Sequence, residues 1–577
     1  MTYVKNKLSL LACIVIAIVL VQYRLSYSDV QSGKPLKITT WDAFGYYMYL
    51  PSAVIYNDMT ELKWLPEMDS TYNLTGGELY QANKHTNGNY VNKYFGGVAV
   101  LQAPFFFVAH IIALNSHYNA DGFSPPYQYA IAFAAIFYCL MGFFILRSVL
   151  LRYFKDESVA LSLLIMGLAT NLIQYAAVDN AMSHAFIFPL YALILHATMK
   201  WHGRPSFKWT AIIGLIIGLA TICRPTEAIM VFIPLFWGTQ DKASRSAKWS
   251  LVKANKKYIF VAAGFGLIGV LPQLIYWKVT AGTFVYDVGS KWFFLNPFFR
   301  VLFGFENGWF IYTPVTLLFI VGFFFIKEFP FRKSVIIFCL INIWIVISWS
   351  DWKYGATYST RALVQGYPVF ALALTALLER LLSNKVKWAF LGLISFLMYL
   401  NLFQIWQYNE TILHYRDMNR LYYTHIFLDA APTPLDMSLL DTDEIIDNEG
   451  GYKSKLLFET NVSMDVQNEG EYPDILGRST FEVNRTTWIK VSASLLTQEG
   501  FAGSYLNCKI QSGDESKEKV FRLAHAMSNE RVVNKYEFFV KVPTHFKNPE
   551  VLVFTSSFTG FKGVLKHLKI TQLTEVD

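Results

Sequence analysis

Long apolar runs dominate this sequence, most of them near the roughly 20 residues that cross a lipid bilayer, which constrains most of the chain to a bundle of membrane helices. Tyr127 to Leu150, Ser158 to Ala177 and Ala181 to Lys200 follow one another closely. Tyr258 to Val279, Trp309 to Ile326, Ser334 to Trp349, Arg361 to Leu382 and Trp388 to Trp406 complete the later part. The run Leu8 to Val21 follows Lys5 and Lys7 in the manner of a signal peptide, but no small-residue cleavage site comes after it, so it reads as a retained first helix. With 54% hydrophobic and only 16% charged residues, the chain is too apolar for a soluble globule.

Sidedness follows from the basic residues between the runs, since Lys and Arg collect on the cytoplasmic side. Arg147, Arg152 and Lys155 mark one inner loop, and Lys200, Arg204 and Lys208 another. Lys242, Arg245, Lys248, Lys253, Lys256 and Lys257 mark a third. Trp209 to Trp237 lies between two inner loops, so it must leave and return as a tight pair of short helices, with Cys223-Arg224-Pro225 at the apex. About eleven spans result, with the N-terminus cytoplasmic and the C-terminus outside. Counting Tyr94 to Leu114 as a further span would put the Arg147 to Lys155 loop outside, so residues 94–114 are expected to form an interfacial helix.

Beyond residue 407 the hydropathy collapses, and β-rich runs such as Trp488 to Leu496, Tyr536 to Val542, Val551 to Thr555 and Leu565 to Thr571 alternate with Gly, Asn and Pro turns. The expected organisation is a transmembrane domain over 1–407 (first outer loop 27–94), a linker over 408–440 and an extracytoplasmic β-sandwich over 441–577. The net charge of +8 is spread between apolar runs and forms no basic stripe, which excludes nucleic acid as a partner. Cys13, Cys139, Cys223 and Cys339 lie in apolar runs and Cys508 stands alone, so neither a disulfide framework nor a CxxC metal site is expected.

Two acids fall at the outer membrane face: Asp42 in Trp41-Asp42-Ala43-Phe44-Gly45-Tyr46-Tyr47, and Asp179 before Asn180, Ser183 and His184. Each carboxylate suits a helix cap as well as a functional acid, and position alone does not choose. His184 by itself fits a structural histidine. Arg224, at depth or near the outer face, needs a polar cavity or an anionic partner. Arg361 closes the aromatic and glycine-rich loop from Ser350 to Thr360, and arginine suits bidentate phosphate binding. Lys84 and Lys93, in the first outer loop, fit solvated or headgroup-contacting lysines.

With these motifs in this order and on these sides, the first 400 or so residues resemble the GT-C superfamily of polyprenyl-phosphate-sugar-dependent glycosyltransferases, in particular family 39. The resemblance implies that Asp42 is the catalytic base, that Asp179 is a second acid at the next outer turn, and that Arg224 and Arg361 hold the carrier phosphate. The substrate-binding set it suggests also includes Tyr46, Tyr47, His184, Lys93 and Tyr358. The elements Tyr94-Phe95-Gly96-Gly97-Val98 and Gly308-Trp309-Phe310-Ile311-Tyr312-Thr313-Pro314 also look like family elements. Ala43 stands where such signatures often carry a second acid, so no metal or other cofactor is expected at Asp42.

The reaction implied is inverting transfer of a sugar from a polyprenyl-phosphate donor to a lipid, glycan or protein acceptor, outside a bacterial inner membrane. A lipid-linked glycan transporter or flippase is the alternative; it predicts midplane charges and internal repeats, whereas the acids here cluster at one face. A β-domain adhesin or sensor would need only one anchoring helix.

Overall fold

The computed structural model describes residues 6–27, 36–468, 475–525, 531–558 and 560–576, so residues 28–35 of the expected first outer loop lie outside the described residues. The chain divides into two compact units, Met1–Leu402 and Phe403–Asp577.

The first unit is helical. Among the described residues, six helices are long and apolar enough to cross a membrane: Lys7–Ser26, Gly97–Leu114, Pro125–Leu150, Lys257–Thr280, Arg361–Leu382 and Lys387–Asn409. The protein is therefore a multi-pass membrane protein. Gly97–Leu114, expected as an interfacial helix over 94–114, is thus long enough to span. Apolar Val100, Phe107, Val108, Ile111 and Ile112 lie exposed along one side of it, as in a helix that meets lipid.

Other expected spans are broken, and prolines account for two of the breaks. A residue before proline is pushed out of helical geometry. Arg224, ahead of Pro225, is extended (φ −153°, ψ 127°), ending Phe207–Cys223 and starting the 3₁₀ turn Pro225–Val231. Thr313, ahead of Pro314, also leaves helical geometry (φ −129°, ψ 63°) between Trp309–Tyr312 and Leu317–Val321, and its hydroxyl and N–H both donate to the Trp309 carbonyl, at 2.5 and 3.1 Å. The expected span from Ser158 to Ala177 is Asp156–Leu168 followed by a π-helical turn, Gln174–Val178.

Hydrogen bonds fix which helix ends lie together. The Asp156 carboxylate accepts the free N–H groups of Leu8 and Ser9 at 2.9 and 3.1 Å, and Arg147 donates to the Ser9 hydroxyl at 2.8 Å. At the other end of the first helix, Arg24 donates to the Val178 carbonyl at 2.8 Å. The loop around Arg147 to Asp156 thus lies at one end of the first helix, and Val178, next to Asp179, at the other. Helices Phe207–Cys223 and Lys257–Thr280 cross on a seam of small residues: a Cβ on Gly214 would lie 2.1 Å from the Ala262 carbonyl oxygen, and one on Gly218 2.2 Å from that of Gly266.

The second unit contains a β-sandwich of two antiparallel sheets. One orders Ile475–Thr480, Glu550–Ser557, Ser504–Ser512 and Glu515–Arg522; the other orders Tyr452–Thr460, Phe561–Glu575, Thr487–Glu499 and Val533–Lys541, with Met464–Asn468 also paired to Phe561–Glu575. Alternate residues Ile489, Val491, Ala493 and Leu495 of one central strand point into a core shared with Leu506, Cys508 and Ile510 of the facing sheet. Three of the four β-rich runs read from the sequence fall within one of these strands, and the fourth, Tyr536 to Val542, runs one residue past the end of Val533–Lys541.

Candidate active site

Asp42 sits in the first turn of the short helix Trp41–Tyr47. Trp41 just before it takes a left-handed φ of +55°, a strained geometry for a bulky residue that costs about 1–3 kcal/mol and must be held by its surroundings. The Trp41 N–H donates to the Leu74 carbonyl at 2.9 Å, and Gln81 donates to the Trp41 carbonyl at 3.1 Å.

Held in this way, Asp42 meets three donors. Arg361 reaches Oδ2 at 2.7 Å, and the hydroxyls of Tyr94 and Tyr80 donate to Oδ1 at 2.5 and 2.9 Å. Side-chain exposure is 29% for Asp42 and 11% for Arg361, so the pair is largely enclosed but open on the acid's side. Burial alone would raise the Asp42 pKa; the Arg361 charge and the hydrogen bonds from Tyr94, Arg361 and Tyr80 outweigh it and hold the carboxyl below its ordinary value.

Gly45 makes the Tyr94 contact possible: a Cβ there would lie 2.2 Å from the Tyr94 ring. Tyr94 also packs edge-on against Tyr46, with centroids 4.8 Å apart. Arg361 begins a 3₁₀ turn, Arg361–Gly366, after a loop with Tyr354 and Ser359 at φ +57° and +55°. Thr360 anchors that loop through hydrogen bonds to the Val301 and Asn307 carbonyls at 2.7 and 3.0 Å.

Arg224 adjoins the same cluster. Its charge acts on Tyr46, which also feels Asp42 and Arg361, and on His184 and Glu227. Asp179 receives a hydrogen bond from Gln174 at 3.0 Å and feels the charges of Arg361 and Arg24; burial dominates and raises its pKa. Asp42 and Arg361, 319 positions apart in the chain, are thus in direct contact, and Arg224 and Asp179 interact electrostatically with the groups around them. His184 lies beside it, with its ring bonded to Gln365 at 2.9 Å.

Three other candidates are placed differently. The fully buried Tyr47 donates to the Gly122 carbonyl at 2.5 Å within an aromatic core with Phe106 and Phe123, where packing claims the ring. The Tyr358 hydroxyl is directed to the Tyr312 carbonyl and to Asn401, both at 3.2 Å, so this side chain fastens the loop rather than facing Asp42. Lys93 is not among the partners of Asp42; its backbone N–H extends the hairpin of Ala82–Lys84 and Tyr90–Asn92 by donating to the Gln81 carbonyl.

Sequence reasoning missed Tyr80, Tyr94, Arg24, Gln365 and Glu227. The signal for Glu227 was present in the run Arg224-Pro225-Thr226-Glu227, an acid within an apolar stretch and close to an arginine. Tyr94 opens the element Tyr94-Phe95-Gly96-Gly97-Val98, but nothing local marked its hydroxyl as a partner of Asp42, or marked Tyr80, Arg24 and Gln365. An apolar cleft of about 580 Å³, lined by Phe105, Val108, Ile112, Tyr129 and Phe133 among others, shares no residue with the cluster.

Fold and site define a multi-pass membrane protein with an acid–arginine cluster at one end of its bundle. Among solved structures, the chain is similar to the archaeal oligosaccharyltransferase AglB from Archaeoglobus fulgidus in complex with an inhibitory peptide and a dolichol-phosphate (12% identity, TM-score 0.42), covering 72% of this chain and 57% of that one. It is also similar to the arabinosyltransferase EmbB from Mycobacterium smegmatis (10% identity, TM-score 0.40), covering 97% of this chain and 64% of that one. A structure of infectious bursal disease virus, Gt strain, covers 22% of this chain and 32% of that one, at 11% identity and a TM-score of 0.17. The chain thus spans less than two thirds of the length of each. AglB and EmbB are glycosyltransferases of the GT-C superfamily. No family model and no curated protein matches the chain.

Proposed function

We propose that this protein is a GT-C glycosyltransferase, related to family 39, that moves a sugar from a polyprenyl-phosphate carrier to a lipid, glycan or protein acceptor on the outer side of a bacterial inner membrane. The observation that carries the reading is the ion pair between Asp42 and Arg361, with Arg224 and Asp179 beside it. Transfer from a carrier phosphate needs a base for the acceptor proton and positive charge for the departing phosphate, but no general acid, because phosphate leaves as an anion. In this reading Asp42 takes the proton of an acceptor hydroxyl or amine. The acceptor atom bonds to the anomeric carbon from the side opposite the phosphate, the bond from that carbon to the phosphate oxygen breaks with inversion, and Arg361 and Arg224 hold the phosphate that leaves. Asp179 orients acceptor or sugar.

In the resting arrangement Arg361 lowers the basicity of Asp42. A donor phosphate that recruits the guanidinium would relieve this, so that the base gains strength once the donor is bound. The β-sandwich would lie on the extracytoplasmic side in the same reading. The test is Asp42→Asn in the full-length protein reconstituted with a radiolabelled polyprenyl-phosphate sugar. Turnover should fall by about 10²–10⁴-fold while the carrier still binds; undiminished transfer refutes the assignment.

A further inference from the structure

Glu227 is a carboxylate buried at 1% exposure that the chemistry above does not use. It lies on the 3₁₀ turn immediately after Arg224, and its own N–H donates to the Arg224 carbonyl at 2.9 Å. Oε2 accepts from the Tyr191 hydroxyl, and Oε1 accepts from the Gln365 amide at 3.0 Å. Gln365 lies four residues after Arg361 on the turn Arg361–Gly366, also donates to the Ala362 carbonyl at 2.8 Å, and is bonded on its other side to His184 at 2.9 Å. One carboxylate therefore ties together the two turns that present the two arginines. Neither turn is a regular helix with a rigid hydrogen-bond ladder, so a cross-link of this kind is what would fix their separation.

We propose that Glu227 is a positioning residue: its bond to Gln365 sets the separation of the Arg224 and Arg361 guanidinium groups so that both engage a single phosphate. The proposal rests on the reading that these arginines hold the carrier phosphate. Preorganisation matters because a phosphate held at two points loses affinity when the two points drift apart. The Arg224 charge also acts on Glu227, and the variants below separate that electrostatic role from the positional one.

Gln365→Met keeps the volume and removes the link without changing charge, whereas Glu227→Gln removes the charge while its carboxamide oxygen still accepts from Gln365 and its amide faces the Tyr191 hydroxyl. The probe is polyprenyl monophosphate, bound to full-length protein in nanodiscs, with thermal unfolding followed in parallel. Gln365→Met should weaken binding about tenfold and raise the donor KM with kcat nearly unchanged, while Glu227→Gln stays within about threefold of the wild type. Wild-type binding by a folded Gln365→Met protein overturns the proposal, as does a pattern in which only Glu227→Gln weakens binding. A wild-type protein that fails to bind the probe refutes the donor reading instead. Cryo-EM maps of wild type and Gln365→Met then judge the link on its own: displacement of Arg224 relative to Arg361 by more than about 1 Å supports it, and an unmoved pair overturns it. Should Gln365→Met fail to fold, Gln365→Leu, which also removes the link without touching charge, serves in the same two measurements with the same criteria.

Discussion

A double-mutant cycle on Asp42 and Arg361 probes the centre of the site. The 2.7 Å contact is a charge-assisted hydrogen bond between side chains 29% and 11% exposed. Such a bond contributes about 1.5–3 kcal/mol net. Breaking a fully buried pair from one side costs about 3–5 kcal/mol, because the remaining charge is stranded; with Asp42 partly accessible to water the cost here falls below that range, to about 2 kcal/mol. Asp42→Asn keeps an oxygen for Tyr80 and Tyr94 but leaves the Arg361 guanidinium with only the Met182 sulfur at 3.3 Å and the Ala356 carbonyl at 3.4 Å. Arg361→Gln leaves Asp42 with the two tyrosines. Each single variant should therefore lose about 2 kcal/mol, and the double variant no more than either single, giving a coupling energy of about 2 kcal/mol. Reversible unfolding of the full-length protein in mixed micelles of lipid and SDS measures all four corners. A coupling energy below about 0.5 kcal/mol would show that the ion pair contributes nothing beyond solvated charges and would refute the reasoning.

Gly45→Ala should push the Tyr94 ring off Asp42, because the added Cβ would sit 2.2 Å from that ring; a destabilisation of about 1–3 kcal/mol and a loss of transfer are expected, read by unfolding and by turnover. Gly218→Leu should force apart Phe207–Cys223 and Lys257–Thr280 where a Cβ already meets a backbone carbonyl at 2.2 Å, lowering stability by more than about 2 kcal/mol and weakening carrier binding through Arg224 at the end of that helix. The pH dependence has a defined sign: the Asp42 pKa is lowered in the folded protein, so the stability from its ionisation is complete above the ordinary value of 3.8 and is lost as pH falls through the lowered one. The stability difference between wild type and Asp42→Asn should accordingly be constant between about pH 5 and 7.5 and shrink only in strong acid. Asp179→Asn should leave stability unchanged or raise it at neutral pH, since burial raises that pKa and disfavours the charged form, and thermal unfolding checks this.

What the sequence determined on its own follows from composition along a line. Runs of apolar residues must bury or span, which gave the helical membrane unit, and alternation with turn residues gave the strands of the second unit. Charge sidedness, a local count, already put Asp42, Asp179, Arg224 and Arg361 at one end of the bundle. Proline chemistry is local too, so the break at Arg224-Pro225 was legible; the break at Thr313-Pro314 was equally available and was read through as a span. Tertiary structure decided which side chains complete the site. Tyr46 and Tyr47 are neighbours in one helix, yet one faces the acid–arginine cluster and the other an aromatic core, because successive helical positions point about 100° apart and only packing chooses the face. Tyr80, Tyr94 and Gln365 act through partners 38 to 138 positions away. No periodicity encodes such contacts, since they depend on how helices cross, and that is set by shape complementarity at places such as Gly45 and the Gly214–Gly218 seam.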